Sequence, residues 1–179
     1  RIELEDKYSF KTNSDTEVIL YAYREWGKEC VNKFIGMFSI VILDLIKSEV
    51  VFINDRLGVK PLYIYKDNNI LIFSSELKGI LQYENIDKTI NKKALTQFIQ
   101  YGYIQSPLSI FEKVRKIEPG TIENYSILER KREVEKYWSI EQLIQENPSN
   151  INELEEIIQK ACNYRMVADV PVCSFLSSG

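Results

Sequence analysis

The sequence predicts an α+β domain followed by the start of an α/β domain, and two observations lead to this prediction. Short, β-branched apolar runs are separated by brief turns, and they occupy 37–45, 49–54, 62–65 and 70–74. Such short connections favour an antiparallel meander over crossover units. Near the end of the chain, a helical pattern at 151–165 leads into the apolar run 170–176, a candidate buried strand. This order is typical of an α/β domain with a parallel sheet.

The individual strands differ in their patterns. The run 37–45 is almost continuously apolar, so we expect a strand that is buried on both faces. The runs 121–127 and 132–138 are joined by a charged connection and predict a final hairpin.

Helix start and stop signals accompany these runs. Ser14 and Glu17 have the spacing of a capping box, in which each side chain accepts a hydrogen bond from a backbone N–H of the other residue. Gly27 predicts the end of that helix, and Asn91 predicts the cap of a later one. The further predicted helices occupy 30–34, 76–81 and 91–101.

The polar stretch 139–150, which is broken by Pro148, is the predicted linker between the two domains. Beyond it, an amphipathic helix is expected to pack one apolar stripe, formed by Leu154, Ile157, Ile158 and Ala161. We therefore assign one domain to residues 1–146 and a second to residues 147–179.

Composition narrows the classes of function. The net charge is −3 without a long run of one sign, so we expect neither a nucleic-acid nor a membrane partner. The three cysteines, Cys30, Cys162 and Cys173, have no metal-ligand spacing. We expect them to be reduced thiols of a cytoplasmic protein, with Cys30 and Cys162 packed among apolar residues.

The sequence contains no histidine. This absence excludes the Ser-His-Asp and Cys-His nucleophile pairs from the segment, together with the usual zinc sites. Covalent chemistry therefore requires another base, or groups that lie outside the chain.

A set of motifs extends over nearly the whole chain. They are SDTEVIL at 14–20 with YREWG at 23–27, NDRLGVKPLY at 54–63, FSSELK at 73–78 and DVPVCSFLSSG at 169–179. Each motif is weak alone, but their order and spacing together closely resemble the glutamine-hydrolysing asparagine synthetases.

The resemblance implies two catalytic domains. Residues 1–146 would be the C-terminal part of a class II glutamine amidotransferase domain, with the αββα sandwich of the N-terminal-nucleophile hydrolase fold. Residues 147–179 would begin an α/β ATP pyrophosphatase domain with a parallel sheet. The implied reaction converts ATP, aspartate and glutamine to asparagine, glutamate, AMP and pyrophosphate. The reaction uses Mg²⁺, whose ligands would lie outside this chain. A homodimer is a possible assembly.

Asp15 is the candidate glutamine-binding residue, since in the resembled family the aspartate of this motif accepts the α-ammonium of glutamine. The alternative is a first-turn acid favoured by the helix dipole, worth roughly a few tenths of a kcal/mol. The turn after the last apolar run is the candidate ATP site, because backbone N–H groups after a buried strand can hold phosphate. Its residues are Leu176, Ser177, Ser178 and Gly179. The alternative for them is an ordinary surface turn.

The resemblance implies that the nucleophile is a cysteine at the first position of the mature enzyme, with its own α-amino group as base. Arg1 cannot replace it, and none of the three cysteines lies in a matching motif. We therefore expect no catalytic residue in this chain and no glutamate release from glutamine by the chain alone. Asp55 and Arg56 are expected to form an ion pair that fixes their turn.

Two alternatives to asparagine synthesis remain open. A related amidotransferase could aminate another carboxylate, such as a sugar acid. A scaffold module could lack both chemistries.

Overall fold

Seven strands form two antiparallel sheets in the computed structural model, which describes residues 1–67, 69–146, 153–168 and 170–175. They are β1 (Ser39–Asp44), β2 (Glu49–Asn54), β3 (Tyr63–Lys66), β4 (Leu71–Ser74), β5 (Val114–Lys116), β6 (Thr121–Ser126) and β7 (Arg132–Lys136). The first sheet has the strand order β1-β2-β6-β7, and the second has the order β4-β3-β5.

Six α-helices and one 3₁₀ helix lie in the same described part of the chain. They are α1 (Ile2–Glu5), α2 (Asp15–Trp26), the 3₁₀ helix Gly27–Lys33, α3 (Leu77–Ile80), α4 (Lys92–Tyr101), α5 (Ile140–Glu146) and α6 (Leu154–Arg165). None of these helices is long and apolar enough to cross a membrane.

The two sheets pack face to face through an apolar core. Alternate residues of a strand point to opposite faces, so Val50 and Phe52 of β2 share one face. The Phe52 ring lies edge-on to the Phe73 ring of β4, with 5.5 Å between centroids. The buried members of this core are Val50, Phe52, Leu62, Ile64 and Ile117.

Helices cover the outer faces of both sheets. On the first sheet, Val51 and Ile53 of β2 pack with Ile19 of α2 and Val31 of the 3₁₀ helix. On the second sheet, Tyr65 of β3 packs with residues of α3. The layers therefore follow the order helix, sheet, sheet, helix, which confirms the predicted αββα sandwich.

The predicted four-strand meander is wrong. β1 pairs with β2 and β3 pairs with β4, each antiparallel, but β2 and β3 lie in different sheets. Both faces of β2 are apolar, and it occupies a central position between β1 and β6, with Ile53 opposite Ile122. The short connection after β2 thus carries the chain from one sheet to the other.

Three local predictions need correction. β1 is an edge strand in which Leu43 is 56% exposed, so the expected burial of 37–45 on both faces is wrong. The helix predicted at 30–34 is a 3₁₀ helix that begins at Gly27. β5 was not predicted, because two of its three residues are charged and the strand is too short to show an alternating pattern.

α2 and α4 begin at their predicted caps. The Ser14 Oγ accepts a hydrogen bond from the Thr16 backbone N–H at 3.2 Å, and the Asn91 Oδ1 accepts one from the Ala94 N–H at 3.1 Å. The predicted capping box between Ser14 and Glu17 does not form. The Ser14 Oγ accepts the Thr16 N–H and not that of Glu17, and the Glu17 carboxylate binds the segment before Ser14.

The chain divides into two compact units, Arg1–Ser139 and Ile140–Gly179. The second unit contains α5, which lies within the stretch predicted as a linker and corrects that prediction. The apolar stripe of α6 is not packed as expected: Leu154, Ile157 and Ile158 are 51–58% exposed. Residues 170–175 form no strand, because no described strand pairs with them. The domain boundary at 146/147 stays a prediction.

Glu123 of β6 joins the two sheets through a buried ion-pair network. Its side chain is 2% exposed and binds Arg115 of β5, in the second sheet, and Arg132 of β7, in the first. Arg115 donates two hydrogen bonds of 2.8 and 2.5 Å, and Arg132 donates two of 2.9 Å. Both guanidinium groups keep partial contact with solvent, and both pair with this one carboxylate. Loss of the Glu123 charge therefore leaves two arginine charges without this partner.

We expect Glu123→Gln to lower the free energy of unfolding by about 1.5–3 kcal/mol, the typical value for hydrogen bonds to charged groups. Urea unfolding followed by tryptophan fluorescence measures this change. The control is Glu133→Gln, which alters a solvent-exposed pair with Lys131 and should have little effect. Equal stability of the Glu123→Gln variant and the parent chain would contradict the role of Glu123.

Candidate functional site

Asp15 is the first residue of α2 and projects into solvent. It forms no hydrogen bond or ion pair with the described residues. The helix is firmly seated, since Ile19 and Tyr23 pack on the first sheet and Ala22 packs against Leu4 of α1. Asp15 is therefore an unpaired carboxylate at the positive end of a fixed helix dipole.

The other acid of this first turn, Glu17, is fully engaged by the backbone that precedes the helix. Its carboxylate accepts hydrogen bonds from the backbone N–H of Lys11 at 2.9 Å and of Thr12 at 2.7 Å. It also accepts one from the Thr12 hydroxyl at 2.7 Å. The Lys11 N–H and the Thr12 hydroxyl lower the pKa of Glu17, because they stabilise its charged form.

Arg1 holds the same segment from the other side. Its guanidinium donates to the Thr12 carbonyl oxygen at 3.0 Å and to the Asn13 Oδ1 at 3.3 Å. It also lies over the Phe10 ring, 4.5 Å from the centroid. Residues 11–14 are thus bound from two directions immediately before Asp15.

Asp55 organises the connection between the two sheets. It is 2% exposed, and its carboxylate accepts hydrogen bonds from the backbone N–H groups of Leu57, Val59, Lys60 and Phe38 at 3.0–3.3 Å. The carboxylate thereby fixes the conformation of this loop, which agrees with the structural role expected from the sequence.

The expected ion pair between Asp55 and Arg56 does not form. The Arg56 guanidinium donates instead to the Phe34 carbonyl oxygen at 2.8 Å and the Asn32 carbonyl oxygen at 3.5 Å. The Asp55 oxygens already accept hydrogen bonds from backbone N–H groups of the same loop. These groups are closer to the carboxylate along the chain than the end of a long side chain is, so they bind it more readily.

Gly58, in the same loop, adopts φ of +65°. A Cβ at this position would lie 2.8 Å from the Pro119 side chain. Glycine is therefore required here both for the backbone conformation and for the close approach of the two turns.

The three cysteines lie in two different environments. Cys30 is fully buried, and burial raises the pKa of its thiol to about 11. Cys162 and Cys173 are exposed, so the expectation that Cys162 packs among apolar residues is wrong. The apolar residues Leu154, Ile157 and Ile158 of the same helix are also more than half exposed. No group of three or more histidine, cysteine, aspartate or glutamate side chains in the described residues could hold a metal ion.

The candidate ATP-binding residues Leu176, Ser177, Ser178 and Gly179 lie outside the described residues, so their arrangement stays a prediction. The structure adds two residues that the sequence did not single out for the site, Thr12 and Arg1. Neither had a sequence signal, since their hydrogen bonds depend on how the segment 11–14 folds back against α2.

Comparison with known proteins gives one family and several relatives. The family described as "Glutamine amidotransferase domain" matches residues 1–138. The chain is 41% identical to the putative asparagine synthetase (glutamine-hydrolyzing) 2 of Methanocaldococcus jannaschii, over 99% of this chain and 36% of that protein. It is 35% identical to asparagine synthetase (glutamine-hydrolyzing) 1 of Bacillus subtilis, over 100% of this chain and 28% of that protein.

Among the solved structures that match is the glutamine phosphoribosylpyrophosphate amidotransferase of B. subtilis in complex with ADP and GMP. Its TM-score is 0.48 at 18% identity, over 76% of this chain and 26% of that chain. The chain spans only 36% and 28% of the length of the two curated relatives.

The environments of the cysteines predict their reactivity. At pH 7.5 we expect iodoacetamide to modify Cys162 and Cys173 but not Cys30, because the Cys30 thiol is buried and almost entirely protonated. Peptide mass spectrometry measures the modification, and unfolding in guanidinium should make all three thiols reactive. Native-state modification of Cys30 at the rate of Cys162 would contradict the prediction.

Proposed function

We propose that this chain, which belongs to the glutamine amidotransferase domain family over residues 1–138, is part of a glutamine-hydrolysing asparagine synthetase. One observation carries the proposal. The family match ends at residue 138, but the similarity to the M. jannaschii relative covers 99% of the chain. The resemblance to the named synthetases therefore continues through the second unit, beyond the residues that match the glutamine amidotransferase domain.

In the proposed reaction, glutamine is hydrolysed to glutamate and ammonia. The ammonia then attacks an aspartyl-adenylate made from aspartate and ATP, which gives asparagine and AMP after pyrophosphate has left. The nucleophile would be an N-terminal cysteine outside this chain. A cytoplasmic location, a homodimer and the absence of nucleic-acid and membrane partners are further parts of the proposal.

Asp15 is proposed to bind the α-ammonium group of glutamine. Two acids lie in the first turn of α2, but the Glu17 carboxylate is occupied by Lys11 and Thr12. Asp15 is the exposed one and has no partner among the described residues. It is therefore the acid of this turn that can accept hydrogen bonds from a cationic ligand without breaking an existing contact.

ATP is proposed to bind at Leu176, Ser177, Ser178 and Gly179. The backbone of this turn would face the phosphates, and Leu176 would border the adenine. Mg²⁺ would accompany the ATP, with its ligands outside this chain. The support is the motif itself, because these four residues lie outside the described part of the structure.

The proposed reaction is tested with the full-length protein, ATP, Mg²⁺, aspartate and glutamine labelled with ¹⁵N in its amide. We expect labelled asparagine and AMP in equal amounts, both measured by mass spectrometry. In parallel reactions a sugar acid replaces aspartate. Glutamate release without labelled asparagine, or amination of the sugar acid instead, would overturn the proposed acceptor.

Asp15→Asn should raise the KM for glutamine by roughly ten- to a hundred-fold, because a charge-assisted hydrogen bond is worth about 1.5–3 kcal/mol. Asparagine synthesis from free ammonia should be unchanged. Steady-state kinetics with each nitrogen source measures this, and Asp6→Asn, an exposed aspartate of the same unit, is the control. Equal loss of activity with both nitrogen sources would make Asp15 a structural residue.

The proposed phosphate turn predicts opposite results at two neighbouring positions. Gly179→Val should abolish AMP production, because a branched side chain would fill the space of the pyrophosphate. Ser178→Gly should change the ATP affinity by less than about 1.4 kcal/mol, a factor of ten. Calorimetric titration with ATP and an AMP assay measure both effects. Normal AMP production by Gly179→Val would rule out this turn as the phosphate site.

A further inference from the structure

We propose that Glu17 and Thr12 are positioning residues that set the place of Asp15 for the ammonium group of glutamine. The inference rests on the proposed function, in which Asp15 contacts the substrate. Neither Glu17 nor Thr12 is proposed to touch glutamine, and both act through the segment from which α2 begins.

The Glu17 carboxylate is the centre of the arrangement. It reaches back from the third residue of α2 and accepts the backbone N–H of Lys11 and of Thr12 at 2.9 and 2.7 Å. These contacts draw the incoming chain against the first turn of the helix. A carboxylate accepts all of these bonds at once, whereas an amide presents only one accepting oxygen.

Thr12 completes the arrangement through its hydroxyl group. The hydroxyl donates its single proton to the Glu17 carboxylate at 2.7 Å and accepts the backbone N–H of Ser14 at 3.2 Å. In an ordinary capping box the acid would take the N–H of the cap residue directly. Here the Thr12 hydroxyl lies between them and relays the interaction from Glu17 to Ser14.

This relay reaches the residue immediately before Asp15. The Ser14 N–H is held by Thr12, and the Ser14 Oγ caps α2 by accepting the Thr16 N–H at 3.2 Å. Ser14 is therefore held through both its backbone N–H and its side chain, with φ of −73° and ψ of 137°. The direction of the Asp15 carboxylate depends on where the helix begins. If Ser14 were held less firmly, the Asp15 carboxylate would occupy a wider range of positions.

The relay also separates the roles of two neighbouring acids. Hydrogen bonds from the Lys11 N–H and the Thr12 hydroxyl keep Glu17 ionised by lowering its pKa, and they leave it no role as a ligand. Asp15 lies in solvent, immediately after Ser14. A positioning error of about 1 Å at such a contact is enough to lower the effectiveness of a binding site strongly.

The test uses the full-length enzyme with Thr12→Val, Thr12→Ser and Glu17→Gln. Thr12→Val removes the hydroxyl and keeps the shape of the side chain, whereas Thr12→Ser keeps the hydroxyl. We expect Thr12→Val and Glu17→Gln to raise the KM for glutamine by about three- to tenfold, as the loss of one ordinary hydrogen bond would. The kcat with free ammonia should stay unchanged, and Thr12→Ser should restore the parent KM.

Thr89→Val is the matched control. The Thr89 hydroxyl donates to the Asp87 carboxylate at 2.6 Å on another loop of the same unit. Its removal deletes the same kind of threonine–carboxylate hydrogen bond without touching α2, so the KM for glutamine should not change. A rise in KM with this control equal to that with Thr12→Val would overturn the inference.

Combination with Asp15→Asn separates this inference from the proposed function. Substitution of a residue that acts through Asp15 should not raise the KM further once Asp15 is replaced. Thr12→Val should therefore leave the KM for glutamine of the Asp15→Asn variant unchanged. If Asp15→Asn itself leaves the KM unchanged, the proposed function of Asp15 fails. If Asp15→Asn raises the KM while Thr12→Val and Glu17→Gln do not, only the positioning role fails. An equal loss with glutamine and ammonia in Thr12→Val would mark a purely structural contact and also overturn it.

Discussion

The two-sheet architecture depends on the hydrogen bonds that the buried Asp55 carboxylate accepts from backbone N–H groups. The carboxylate binds the N–H groups of Leu57, Val59 and Lys60 in its own loop, together with that of Phe38 just before β1. Its own backbone carbonyl accepts the Gly120 N–H at 2.9 Å, at the start of β6. One residue thus ties together the ends of three strands of the first sheet at the point where the chain departs for the second.

The position of α2 follows from that architecture. Once the sheets face each other, the outer face of the first sheet is free to receive α2, which it holds through Ile19 and Tyr23. α1 secures the same helix through Leu4 and Ala22. The start of α2 is therefore anchored to the core although Asp15 itself is in solvent. The binding role proposed for Asp15 requires such a rigid support.

Four carboxylates illustrate how environment assigns different roles to one chemical group. Asp55 is buried and satisfied by backbone N–H groups, so it shapes a loop. Glu123 is buried and satisfied by Arg115 and Arg132, so it joins the sheets. Glu17 is half-buried and occupied by Lys11 and Thr12. Asp15 is exposed and has no partner among the described residues, so a ligand can bind it without breaking an existing contact.

The sequence by itself determined the features that depend on neighbouring residues. The Ser14 and Asn91 caps and the strand at 49–54 could all be predicted, since each is encoded within a few residues. The role of Asp15 was inferred from the family resemblance and stays a prediction. The tertiary structure alone decided that β2 pairs with β6 rather than β3, that Glu123 binds Arg115 across the sheets and that Glu17 passes over Ser14 to reach Thr12. These contacts join segments whose approach depends on the folding of the intervening chain, and such an approach leaves no periodic pattern in the sequence.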